Sequence, residues 1–269
     1  MVVYGQPIVE IALTTYKAIP PFLEKSFSFL LSNSRLDTKG IFRISGSDVE
    51  IQRFQKVIDA TGDITYPNDT KPFVVANLIT RFIRQIPNHL LIDKNAEAWE
   101  KAKTPEEAQK LFKGLPLIHR AVFTRIIAFF RVVTQHKKEN CMEAKSLAII
   151  LSPILVSKSG DQRWLLSFST VEMLLDRYDE IFGSMSSFDK NGEFMSDEEF
   201  NATIGDICSQ FFCQSTAAPL KLKPLVETKQ CKLTRNLEIP RIDWNDLFSI
   251  LLSTNYTEND TLSTKLTYI

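Results

Sequence analysis

Apolar residues recur at spacings of three and four through most of the first 183 positions. Phe22, Leu23, Phe27, Leu30 and Leu31 follow a Pro20-Pro21 entry. This predicts a helix with one buried face, since proline at the first turn presets φ and lacks only an N–H that would go unpaired. A second amphipathic helix is predicted over Asp48 to Ala60, where Val49, Ile51, Phe54, Val57 and Ile58 follow a Ser47-Asp48 start. Val74 to Gln85 makes a third, stopped at Ile86-Pro87 because proline disfavours helical backbone in the residue before it. Thr104-Pro105-Glu106-Glu107 has the form of a capped start, with acids at the positive helix end. Pro116 to Val133 carries Ile118, Val122, Ile126, Phe129, Phe130 and Val133, apolar around much of its circumference, so it should lie centrally. Ala144 to Leu151 and Val171 to Phe182 complete a set of about seven to nine helices, and no sustained period-two alternation competes. The expected fold is an all-α helical bundle.

Behind residue 183 the pattern thins. Ser196-Asp197-Glu198-Glu199 is a capping box, and Phe200, Ile204, Ile207, Phe211 and Phe212 form one stripe after it, which predicts a docked helix. Gln214 to Val226 has linker composition. Asp243 then caps a short helix with Trp244, Leu247, Phe248, Leu251 and Leu252 on one face, which calls for burial. The expected organisation is a domain over 3–183, a linker and docked helix over 184–213, and a C-terminal extension over 214–269. Intramolecular packing is the plain reading of that extension, and occlusion of the surface around Arg43 the sharper one. Asp189-Lys190-Asn191-Gly192-Glu193 is not a calcium loop. Its sixth and twelfth positions are Phe194 and Phe200, where glycine and a bidentate glutamate are required.

Composition narrows the chemistry. Of 269 residues, 44% are hydrophobic and 24% charged, and 32 basic residues balance 32 acidic ones. Nothing global attracts nucleic acid or an anionic membrane, so a partner must be recognised by a local patch. The N-terminus has neither a basic nor an apolar leader region. The longest apolar run, Leu147 to Val156, is broken by Ser152 and Pro153 and is too short for a transmembrane segment. The expectation is a cytoplasmic protein, with any membrane recruitment through a partner. Cys141, Cys208, Cys213 and Cys231 are too irregular for a disulfide framework or zinc site, so no metal is expected. His89, His119 and His136 are scattered, Ser45 has no local base, and no glycine-rich phosphate loop appears. A self-contained active site is therefore not expected.

The run Gly40-Ile41-Phe42-Arg43-Ile44-Ser45-Gly46 stands apart. Glycines relax both ends of a turn, Ile41 and Phe42 can anchor it in a core, and Arg43 is left with a permanent charge and five donors. Alone, it is an arginine on a turn. It is joined in order by Tyr4-Gly5-Gln6-Pro7-Ile8, Ile19-Pro20-Pro21-Phe22-Leu23, Ala76-Asn77-Leu78-Ile79, Phe82-Ile83-Arg84-Gln85-Ile86-Pro87, Leu115-Pro116, Asn140-Cys141-Met142 and Ser146-Leu147-Ala148-Ile149-Ile150-Leu151-Ser152-Pro153. Their colinearity over residues 3 to 183 resembles the Rho-family GTPase-activating domain (RhoGAP).

The resemblance implies that Arg43 is an arginine finger, supported by Gly40, Phe42 and Gly46, with Arg84 bracing the loop. It implies as partner a Rho-family small GTPase in its GTP-bound state, with GTP and Mg²⁺ on that partner and no cofactor here. A finger supplied in trans is worth roughly 10³ to 10⁵ in rate, or about 4 to 7 kcal/mol. At partner-binding positions the chain departs from the family. Thr80 stands where a lysine is usual, with Arg81 beside it, and Ser146 and Ile154 stand where asparagines are usual. Two readings stay open: an activator with altered partner preference, or a catalytically weak RhoGAP-like binding module.

Overall fold

The computed structural model describes residues 2–155 and 168–214, and the side chains of Ser184 and residues 208–214 lie outside that description. The helix around Trp244 and the proposed linker also lie outside it. Among the described residues the fold is all-α, with twelve helices and no strand. They are α1 (Ile8–Thr15), α2 (Pro21–Leu31), α3 (Asp48–Thr61), α4 (Pro72–Gln85), α5 (Ala96–Lys101), α6 (Pro105–Lys113), α7 (Leu117–Gln135), α8 (Lys137–Asn140), α9 (Ala144–Leu155), α10 (Phe168–Asp176), α11 (Tyr178–Phe182) and α12 (Asp197–Gln214). Three of them, α5, α8 and α11, have 6, 4 and 5 residues, too short for a helical period to register in the sequence. The remaining nine fall within the expected number.

Local chemistry sets the helix starts. Pro21 opens α2 and Pro72 opens α4 at the first turn. At α6 the capping box is complete: the Glu107 N–H donates to Thr104 Oγ1 at 3.3 Å, and the Thr104 N–H donates to Glu107 Oε2 at 3.2 Å. The same reciprocal pair at Ser196 and Glu199 starts α12. Helix α7 is the central one, buried along almost its whole length and packed against α1, α8, α9, α10 and α11. Helix α4 packs on α2, α3 and α9. The N-terminal strap ties α3 to α4, for Asp59 Oδ1 accepts from the Val3 and Tyr4 N–H groups at 2.8 and 2.9 Å, and Tyr4 Oη donates to the Leu78 carbonyl.

The apolar stripe of α3 differs from expectation. Ile51, Phe54 and Ile58 are buried, but Val49 is 79% and Val57 42% exposed. Periodicity alone admitted all five to one face, but at about 100° per residue Phe54 and Ile58 lie within about 60° of Ile51, whereas Val57 and Val49 lie about 120° and about 160° from it and turn outward.

The chain divides into two units, Met1–Asn201 and Ala202–Ile269. Residues 184–201 therefore belong to the same unit as the helices before them. A buried arginine holds them there. Arg125 of α7, 1% exposed, donates to Glu24 at 2.6 and 2.9 Å and to the Met195 carbonyl at 2.7 Å, with its guanidinium 3.8 Å from the Phe194 ring centroid. Burial pushes the Glu24 carboxyl above the usual carboxylate range despite these bonds. The Asp189 turn is satisfied internally. Asp189 Oδ1 accepts from the Asn191 and Glu193 N–H groups, and the Glu193 bond is the main cause of its lowered pKa.

Candidate functional site: the Arg43 loop

The loop that carries Arg43 is a set of tight turns hung from the core. The Ile41 N–H donates to the Thr38 carbonyl at 3.1 Å, and the Arg43 and Ile44 N–H groups donate to the Gly40 carbonyl at 3.0 and 2.9 Å. Gly40 adopts φ +75°, a region open to glycine without penalty. Phe42 adopts φ +67°, where a bulky side chain costs about 1–3 kcal/mol. Its ring offsets that cost by burial, 4.9 Å from the Phe130 centroid and 6.0 Å from that of Phe129, both on α7. Ile41 is fully buried. The next residue is released: Arg43 is exposed, and among the described residues no hydrogen bond or ion pair engages its guanidinium.

Gly46 serves the loop through space rather than rotation. A Cβ there would lie 2.8 Å from both the backbone nitrogen and the Cα of Val74, so only glycine lets the loop end rest on the first turn of α4. From that helix Asn77 Nδ2 donates to the Phe73 carbonyl at 2.9 Å and reaches the Ile44 carbonyl at 3.5 Å.

The remaining sequence candidates divide. Arg84 lies on α4 two turns beyond Asn77 and is exposed. Among the described residues it donates to no carbonyl of the loop, so the structure does not show the partly buried, loop-bonded arginine that the brace role envisaged. Thr80 shares that stripe, and its hydroxyl is turned back onto the Ala76 and Asn77 carbonyls of its own helix. Arg81 is committed to α3 through Gln55 Oε1 at 3.0 Å and Asp48 Oδ1 at 3.4 Å, which takes it away from the place of the missing lysine. Ser146 is partly exposed on α9. Ile154 is a correction: it is fully buried, so the side chain in the place of the family asparagine faces the core and offers a partner no surface.

Asn140 belongs to the Asn140-Cys141-Met142 motif, which by itself assigns it no role. It is fully buried, and its carbonyl accepts the Gly40 N–H at 2.7 Å. The only sequence signal for it was a polar residue held between two apolar helices. Beside it, ligand-type atoms of Asp37, His136 and Glu139 lie within 4.8 Å of one another, the one such group among the described residues. His136 Nδ1 already hydrogen-bonds Asp37 Oδ1 at 2.7 Å, and Glu139 is exposed, so that bond accounts for the grouping.

Comparison with known proteins gives a consistent result. The RhoGAP domain family matches residues 20–160, more than half of the chain. Among curated relatives, Rho GTPase-activating protein gacJJ of Dictyostelium discoideum is 25% identical over 59% of this chain and 19% of its own length. Rho GTPase-activating protein 7 of Bos taurus is 26% identical over 57% of this chain and 14% of its own. The matched stretch is thus a fifth or less of these relatives. Among solved structures, human Rho GTPase activating protein 15 superposes with a TM-score of 0.60 at 20% identity, covering 68% of this chain and 92% of that one. The BH domain from GRAF, the GTPase regulator associated with focal adhesion kinase, gives 0.53 at 16%, covering 60% and 92%. The fold is shared at that distance, and the family match includes both the Arg43 loop and the helix that supports it: the chain belongs to the RhoGAP domain family.

Proposed function

We propose that this protein activates a Rho-type small GTPase by inserting Arg43 in trans beside the γ-phosphate of bound GTP. The observation that carries the reading is the contrast within two residues: Phe42 strained and buried, Arg43 exposed and without a described partner. Charge develops on the transferring phosphoryl group and its leaving oxygen, and a planar guanidinium spans two such oxygens while staying ionised. GTP and Mg²⁺ belong to the partner, and this chain supplies donor and shape. No helix among the described residues is long and apolar enough to cross a membrane.

A second reading has its own support. Thr80 is spent on its helix and Ile154 is buried, so two places where the family makes polar contact with its GTPase offer none here, and Arg81 beside Thr80 is engaged on α3. A binding module with little acceleration would look like this. Single-turnover hydrolysis over a panel of GTP-loaded Rho-type GTPases separates the two. The activator loses about 10³-fold or more on Arg43→Ala, with binding retained. Equal rates for the two proteins under confirmed binding favour the module.

A further inference from the structure

The loop needs something to hold its strained conformation, and that support comes from Asn140, far away in sequence, whose carbonyl accepts the Gly40 N–H. Asn140 closes α8 in a left-handed turn at Cys141, φ +59°. Its side chain uses every strong hydrogen-bonding group in full burial: Nδ2 donates to the Leu36 and Val133 carbonyls at 3.0 Å each, and Oδ1 accepts the Met142 N–H at 2.7 Å. Its main-chain carbonyl, an unpaired group at a helix end, receives the Gly40 N–H. One residue thus grips the chain on both sides of the Thr38 turn, at Leu36 and at Gly40, and ties both to the end of α7. Phe42 keeps φ +67° only while its surroundings overdetermine it. The α7 rings fix its side chain, and the bond to Asn140 fixes its backbone from two residues upstream.

We propose that Asn140 is the positioning residue of the Arg43 finger: its buried amide locks the turn that presents an acceptor to Gly40, and so sets where Arg43 points. The kinetic part of this proposal rests on the activator reading, but the clamp itself does not. Misplacing a catalytic group by about 1 Å costs about 100-fold, so a released loop would keep its arginine and lose its effect.

Asn140→Asp removes both Nδ2 donors at nearly constant size, and Asn140→Ala replaces it if the buried acid prevents folding. Amide exchange on the full chain reads the clamp without any partner. Protection at Gly40, Arg43 and Ile44 should fall about tenfold or more while the α7 amides from Val122 to Phe130 keep theirs. Unchanged protection in the loop, or an equal loss along α7, overturns the proposal. In single-turnover hydrolysis the variant should lower the saturated rate by about 10- to 100-fold, leave the half-saturating concentration within about twofold, and add nothing in an Arg43→Ala background. A full rate with Arg43 present, or an equal drop without it, overturns the positioning role. If Arg43→Ala alone changes nothing, the activator reading fails, and the exchange result still decides the clamp.

Discussion

Gly40 and Gly46 flank Arg43 for different physical reasons, which their shared identity in the sequence hides. Gly40 permits a left-handed backbone, while Gly46 permits contact with the Val74 backbone. Thr80 shows a similar split between identity and consequence. Its hydroxyl bonds are local to α4, so replacing it removes no tertiary hydrogen bond. Asn77, Thr80 and Arg84 share one stripe of that helix, and Asn77 at its start reaches the Ile44 carbonyl. Thr80→Lys would extend a cation from the stripe that borders the loop, where the family places one. Affinity for a GTPase held by a non-hydrolysable GTP analogue should then rise about tenfold at low salt, less at high salt, since a rim charge acts through screened attraction. Titration of wild type and variant at two ionic strengths measures this. Unchanged affinity would place the GTPase surface elsewhere.

At the scale of elements, α7 organises the domain from its first turn. His119 Nδ1 donates to the Leu90 carbonyl at 2.8 Å, and burial lowers the His119 pKa below the usual 6.5. The fold thus favours the neutral ring, and the unfolded chain takes up a proton more readily. Stability from this residue is complete above pH 6.5, falls as pH drops from there towards the folded value, and levels off below it. Because Asn offers a similar donor without titrating, His119→Asn should flatten the fall in melting temperature between about pH 7.5 and about pH 5.5. Parallel curves for both proteins would remove His119 from the pH response. Helix boundaries set by caps and prolines, as at Thr104, Ser196 and Pro87, were legible from sequence because the signal is local. The α3 face was less so, since Val49 and Val57 are apolar yet exposed, and only the packing of Ile51, Phe54 and Ile58 on neighbours selects the buried side. The candidate site was half legible. Arg43 and its glycines form a contiguous motif, but Asn140 acts through a contact distant in sequence, and the burial of Ile154 depends on how α9 sits in the bundle.

At the scale of the molecule, the family match ends at residue 160 but the compact unit runs to Asn201. The added segment completes the environment of a buried charge. Arg125 has Glu24 on one side and, on the other, the Met195 carbonyl, the Phe194 ring at 3.8 Å and the Phe200 ring at 5.0 Å. Lys17 on the N-terminal side adds an ion pair to Asp197 at 3.0 Å, but both partners are partly exposed, so its contribution is small. Cutting the chain after Gly183 would admit water to the Arg125–Glu24 pair and remove the burial of two phenylalanines, about 2–5 kcal/mol together. Cutting after Gln214 would spare both. The shorter truncation should therefore melt well below the longer one, with urea midpoints following the same order. The Arg43 loop is built from Thr38–Gly46, α4, α7 and Asn140, all of which the shorter chain keeps. Where that chain remains folded at low temperature, its GTPase activation should match that of the longer one. Equal melting of the two truncations would show that Arg125 is satisfied without the segment that ends at Asn201.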